Sequence, residues 1–285
     1  VVSTQDTQAV IGSPDRAGHR RPATGHGERR GVRSVTRALD ILTAFSAAYP
    51  RLQLRELADI VGLPKPSTHR IAVSLVERGF LRQDADGAYS LGSRLLELGG
   101  LVSNTAALAQ MTRDAVARLS KETGETVLVA EVDWMDRTVL ITNKRDATHP
   151  LAVTSPVGKR SGLGNGCIGK AVLGHLDPAE ADELVPQLHL AARTPRSIVD
   201  HATFRTEIAE TARRGFATES DEFIEGVAGV AAAVSIGGRP FGAVAIVVPL
   251  SRAPRRRLDQ LGRLVMRALA ASSSSSTAPP LAATM

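Results

Sequence analysis

The chain has 285 residues, enough for two ordinary domains, and is 43% hydrophobic but only 3% aromatic, so its cores must be aliphatic. A single cysteine, Cys167, excludes an internal disulfide framework and fits a reducing cytoplasm, and no apolar run approaches the length of a membrane span. The net charge of +6 divides into +4 for residues 1–92 (13 Lys/Arg against 9 Asp/Glu) and +2 for the rest (22 against 20), so positive charge is densest in the N-terminal third. That sign suits phosphate binding, although a basic excess also describes any solvated face.

Residues 1–30 are rich in Gly, Ser, Thr, Pro, Gln and Arg with no apolar period, and are expected to form a disordered tail. Arg29, Arg30 and Arg33 stand before the first helix, either as an arm to DNA or simply as a soluble end. From Ser34, the spacing of Val35, Ala38, Leu39, Leu42 and Phe45 predicts a helix. Leu54, Leu57, Ala58 and Val61 predict a second, stopped by Gly62-Leu63-Pro64. Pro66 suits the first turn of a third helix, which buries Ile71, Leu75 and Val76. Lys65, Ser67, Thr68, His69 and Arg70 crowd its N-terminal end. A helix-turn-helix that reads the major groove needs this division between a buried side and a polar N-terminal end. Downstream, Asp84-Ala85-Asp86-Gly87 between Gly79–Arg82 and Ala88–Leu91 predicts a hairpin. Residues 31–92 therefore read as a winged helix-turn-helix, with Lys65, Ser67, Thr68, His69 and Arg70 as candidate DNA contacts. A small helical module that docks on protein is the alternative.

Residues 93–105 follow as a helix with Leu95, Leu96, Leu98, Leu101 and Val102, more apolar surface than one small domain covers. Pairing with a second copy accounts for the excess, as does packing on the rest of the chain. Residues 106–271 then read as α+β. An amphipathic helix over 107–122 precedes strands at 126–132 and 138–143. Helices follow at 167–176, 178–185 and 201–214. Strands at 227–236 and 241–248 turn at Gly237-Gly238-Arg239-Pro240, and a closing helix spans 258–270 after Arg255-Arg256-Arg257. Residues 272–285 are a flexible, Ser-rich tail.

Candidates for chemistry are few. Gly164-x-x-x-x-Gly169-Lys170 imitates a phosphate-binding loop, but Ala171 stands where a hydroxyl should meet magnesium. The seven histidines show no ligand spacing, so no metal site is expected. Cys167 at a helix start has the place of an activated thiol, yet a small buried thiol is the commoner fate. No catalytic residue and no cofactor is assigned.

Several runs together resemble the IclR family of bacterial transcriptional regulators. They are Ser34-Val35-x-Arg37-Ala38-Leu39-Asp40-Ile41-Leu42, Leu54-x-Glu56-Leu57-Ala58, Gly62-Leu63-Pro64-Lys65-Pro66-Ser67-x-x-Arg70, Gly79-Phe80 and Tyr89-x-Leu91-Gly92. Val157-Gly158-x-Arg160 with Gly169-Lys170-Ala171, and Gly215-Phe216-Ala217-x-Glu219-x-Asp221-Glu222 with Gly226-Val227, carry the likeness to about Pro249. The resemblance implies a GAF-like C-terminal domain that binds a small effector, an operator in double-stranded DNA, and a homodimer or homotetramer in the cytoplasm.

It also implies that backbone N–H groups at Cys167 and Ile168, on a helix start, hold the effector's carboxylate. Glu219, taken to lie in a loop, lines the pocket in this reading, and so do Gly229, Ala245 and Val247. Gly229 replaces a frequent cysteine, and Ala245 and Val247 stand where relatives that bind small oxo-acids have serines. A loss of hydroxyls favours an acid with an apolar body, whereas a pocket that no longer binds anything is the other outcome. Glu219 either donates a proton to the ligand or accepts a hydrogen bond at its far end, and the second needs no large pKa shift. The function expected is a DNA-binding regulator, repressor or activator, whose grip on its operator is modulated by a small carboxylic acid. The alternative is a metabolite-binding protein or enzyme with a docking module.

Overall fold

The structure is a computed structural model that describes residues 9–10, 32–46, 48–105 and 107–275, without the side chains of 9, 10, 103–105 and 273–275. It divides into two compact units, one of residues 12–104 and one that joins residues 9–10 to the chain from Thr105 onward. Most of the tail expected over 1–30, with Arg29 and Arg30, lies outside the described residues, as does most of the tail expected over 272–285. Within the first tail, strand β1 (Ala9–Val10) pairs in parallel with β7 (Val153–Thr154).

The N-terminal unit contains α1 (Arg33–Thr43), β2 (Arg51–Leu52), α2 (Leu54–Val61), α3 (Lys65–Glu77), β3 (Leu81–Gln83), β4 (Tyr89–Leu91) and α4 (Ser93–Thr105). Helix α2 starts with the Gln53 N–H donating to Glu56 Oε2 at 2.7 Å, which satisfies one of the amides a helix start leaves unpaired. It ends at Gly62, whose φ of +65° is the left-handed conformation that glycine adopts without a Cβ clash. The Pro64 carbonyl accepts from Ser67 and Thr68 and opens α3. Ile41, Phe45, Leu52, Leu57, Ala72, Leu81 and Tyr89 form the core, with Ile71, Leu75 and Val76 packed against it.

Two features differ from expectation. Helix α1 buries the face through Ala38, Ile41, Leu42 and Phe45, while Val35 and Leu39 remain 55% and 56% exposed. The wing is three-stranded, in the order β2-β4-β3. Arg51 on β2 ties it to the hairpin turn, pairing with Asp84 at 2.6 Å and also with Asp86. Two residues are too few to show a strand period, so β2 escapes a reading by pattern.

The C-terminal unit is built on a six-stranded sheet whose neighbours are all antiparallel, in the order β8-β6-β5-β11-β10-β9. The strands are β5 (Thr126–Asp133), β6 (Thr138–Arg145), β8 (Arg160–Gly162), β9 (Ala217–Ser220), β10 (Val227–Ile236) and β11 (Arg239–Pro249). Its helices are α5 (Ala107–Thr123), α6 (Gly166–Leu173), α7 (Pro178–Leu184), α8 (His201–Arg214) and α9 (Arg255–Ser275). Successive strand residues face opposite sides. Accordingly Val244, Ile246 and Val248 join the layer of α5 and α9. Ala243, Ala245 and Val247 join the layer of α6, α7 and α8. Alanines at 130, 231, 243 and 245 on that second face let α6 lie close to the sheet. Glu125, 1% exposed, receives Arg252 at 2.7 Å and Arg257 at 3.5 Å, so part of the basic run that opens α9 turns inward.

Candidate functional site

Helix α3 presents Lys65, Pro66, His69, Arg70, Val73, Ser74 and Glu77 to solvent, a face repeating every three to four residues. Ser67 is half-buried. Thr68 corrects the sequence reading: it is fully buried, and its hydroxyl donates to the Pro64 carbonyl at 3.2 Å. It helps close the turn and cannot touch a base. Among the described residues no carboxylate pairs with Lys65 or Arg70, which leaves both cations available to phosphate or base edges. Val73, 37% exposed, lies on the same face and was missed because an apolar residue in a helix is read as core.

In the C-terminal unit a cavity of about 50 Å³ opens between the start of α6, the edge strand β8 with its neighbour β6, and the loop joining β9 to β10. Cys167, Ile168, Glu219 and Val247 line it, as the sequence suggests, whereas Gly229 and Ala245 do not. Ala245 is buried against the α6 layer. Gly229 lies beneath the wall, where an added Cβ would sit 3.0 Å from Cys167 Sγ and 3.2 Å from Glu219 Oε1. The serine positions inferred from relatives therefore divide here: 247 reaches the cavity and 245 is core.

The cavity also has polar groups that sequence reasoning missed, namely Ser155, Lys159, Ser161 and Asn165. They come from an irregular stretch and the three-residue β8, whose Arg-Ser-Gly run lacks the β-branched residues that mark a strand. Lys159 and Ser161 flank Arg160, which points elsewhere, to Asp133 at 2.9 Å and Thr138 at 2.6 Å. The expectation of a pocket poor in hydroxyls is thus corrected. Leu128, Ile141, Val153, Phe223, Ile224 and Val227 keep much of the wall apolar.

Glu219 is not in a loop but on β9, opposite Gly229 on β10. It is 6% exposed, its Oε1 lies 3.7 Å from the Cys167 thiol, and its Oε2 has no hydrogen-bond partner. Burial, with Glu222 nearby, raises its pKa to about 7 against the pull of Lys170. A carboxyl so placed spends much of its time protonated at neutral pH and can donate. The large shift that made donation the costlier option on sequence grounds is supplied by the fold. Gly166, with φ of +67°, starts α6 beside it, and a Cβ there would lie 2.8 Å from Glu219 Oε2. Burial and the same carboxylate push the Cys167 thiol well above its ordinary range, which argues against an activated nucleophile.

The apparent phosphate-binding lysine is accounted for as well. Lys170 is fully buried and pairs with Glu222 at 2.8 Å and Glu207 at 3.4 Å. This pair fastens the loop of Phe223 and Ile224 onto α6. Among the described residues no group of His, Cys, Asp or Glu is arranged to hold a metal ion.

The two units match two family descriptions. That of the C-terminal domain of bacterial IclR transcriptional regulators matches residues 101–275, and that of the IclR helix-turn-helix domain matches residues 34–85. The chain therefore belongs to the IclR family of bacterial transcriptional regulators. It is a DNA-binding transcriptional regulator, not an enzyme. It is 29% identical to the transcriptional repressor IclR of Escherichia coli over 249 residues, spanning 87% of this chain and 89% of that one. A crystal structure of an IclR regulator from a Silicibacter species superposes with a TM-score of 0.70 at 27% identity, covering 85% and 94% of the two chains. An IclR homologue from Microbacterium hydrocarbonoxydans, solved with 4-hydroxybenzoate, has a TM-score of 0.72 at 21% identity, covering 85% and 100%.

Proposed function

We propose that the effector is a carboxylic acid with an apolar body, bound in the cavity at the start of α6. The observation that carries this reading is the composition of the wall. The start of α6, whose Asn165 makes no side-chain cap, and the polar Ser155, Ser161 and Asn165 share the cavity with the apolar Ile141, Val153, Phe223 and Val227. Glu219 in its protonated form donates to the ligand rather than repelling it. A homologue of the same fold binds an aromatic acid, which supports the choice of body.

On the DNA side, Lys65, Ser67, His69 and Arg70 contact an operator, and Val73 offers an apolar contact to a thymine methyl. Two copies pair through α4, where Leu96 is 80% exposed and Leu98 41%, and through Val35 and Leu39. A symmetric pair reads a pseudo-palindrome with half-sites about 34 Å apart or a multiple of it. The protein works in the cytoplasm, where its DNA is. The test is binding of the purified full chain to DNA flanking its own gene, with pyruvate, isovalerate, benzoate and 4-hydroxybenzoate added in turn. The larger acids should change operator affinity at lower concentration than pyruvate. If pyruvate acts and the larger acids do nothing, the apolar-body reading is wrong.

A further inference from the structure

We infer that Lys159 is the charge partner of the bound carboxylate and so decides that this pocket takes anions. The inference rests on the cavity being the effector site. Lys159 lies on the chain entering β8, and its backbone is pinned to β6. Ile141 donates to the Lys159 carbonyl at 2.9 Å, and the preceding Gly158 donates to the Ile141 carbonyl at 2.8 Å. The side chain is half-buried and lines the cavity.

The charged groups around it are arranged unlike those around the other buried cations of this unit. Lys170 has Glu222 and Glu207, and Arg252 has Glu125. Lys159 has no carboxylate within ion-pair distance among the described residues. Its Nζ rests 5.2 Å from the centre of the Phe223 ring, and the Arg193 guanidinium lies 4.5 Å from the same centre. The charge that acts on the ammonium is thus another cation, Arg193. Glu219, the one carboxylate among the lining residues, is engaged with Cys167 instead.

A half-buried ammonium that has only a ring face for it and a like charge against it is poorly compensated, and an anion entering the cavity supplies the missing partner. Phe223 belongs to the wall, so the cation–π contact holds Nζ at the cavity before the ligand arrives. Ser161, two residues along on β8, lines the same cavity and its hydroxyl serves the second carboxylate oxygen. With Glu219 neutral the site carries one uncompensated positive charge, which matches a monoanion.

The experiment measures direct binding to the full-length wild type, Lys159→Met and Lys159→Arg by calorimetry. The probes are 4-hydroxybenzoate, benzoate, isovalerate and pyruvate, each beside its neutral amide. Lys159→Met should lower the affinity for the acid by about ten- to hundred-fold, as loss of a hydrogen bond to a charged group does, and leave the affinity for the amide unchanged. Lys159→Arg should restore most of the acid's affinity. Lys159→Gln provides the uncharged variant if the Met variant does not melt cooperatively. Equal acid binding by wild type and Lys159→Met, or parallel losses for acid and amide, would overturn the role of Lys159 while the acid-effector reading stands. Failure of the wild type to bind any of the four acids would overturn both.

Discussion

Replacing Glu219 by Gln isolates a buried titration that the fold creates. The carboxyl is 6% exposed and its Oε2 lacks a partner. Desolvation is the main cause that lifts its pKa from 4.5 to about 7, with Glu222 adding to it and Lys170 and Cys167 opposing. Below pH 4.5 the group is protonated in both the folded and the unfolded chain and contributes no pH dependence. Between 4.5 and 7 the unfolded chain ionises while the folded one does not, so stability falls as pH rises. Above 7 both are ionised and the full penalty, about 3 kcal/mol, remains. Glutamine does not titrate, so the variant should gain on the wild type across this window. Urea unfolding of both proteins from pH 4 to pH 8.5, followed by a probe of the C-terminal unit, gives the difference at each pH. Glu222, whose pKa is also raised by burial, contributes a similar slope to both proteins and largely cancels. Parallel pH profiles for the two proteins would refute the assignment of this titration to Glu219.

The structure implies four further outcomes. Arg70→Ala should cost about 1–3 kcal/mol of operator binding if the guanidinium reads a base, whereas Thr68→Val should leave the salt dependence of binding intact and act only through stability; anisotropy titrations at several salt concentrations separate the two. Leu96→Glu places a charge on a side chain that is 80% exposed and should weaken self-association, which sedimentation velocity detects, and an unchanged dimer would remove α4 from the interface. Lys170→Met leaves Glu222 buried without its partner and should destabilise the C-terminal unit by about 3–5 kcal/mol, readable as a lowered urea midpoint.

The helices and long strands were legible in the residues because each repeats its apolar positions at its own period. The α8 helix and strand β10 occupy the spans that the pattern marks, and Gly62 stops α2 for a reason visible in one residue. The family likeness could be read the same way, since its runs are local. What depends on non-local packing was not legible. Whether a residue on α3 faces solvent or the core depends on which side of the helix its neighbours cover, and that decided Thr68 against Val73. Whether 245 or 247 reaches the cavity depends on where α6 lies across the sheet, although both residues share one strand face. Short strands such as β2 and β8 carry too few residues for a period, so Ser161 on β8 and Lys159 just before it came into view only with the sheet assembled. The raised pKa of Glu219 belongs wholly to tertiary structure: a glutamate in a sequence is an ordinary acid, and only the walls that exclude water from it make it a donor near neutral pH.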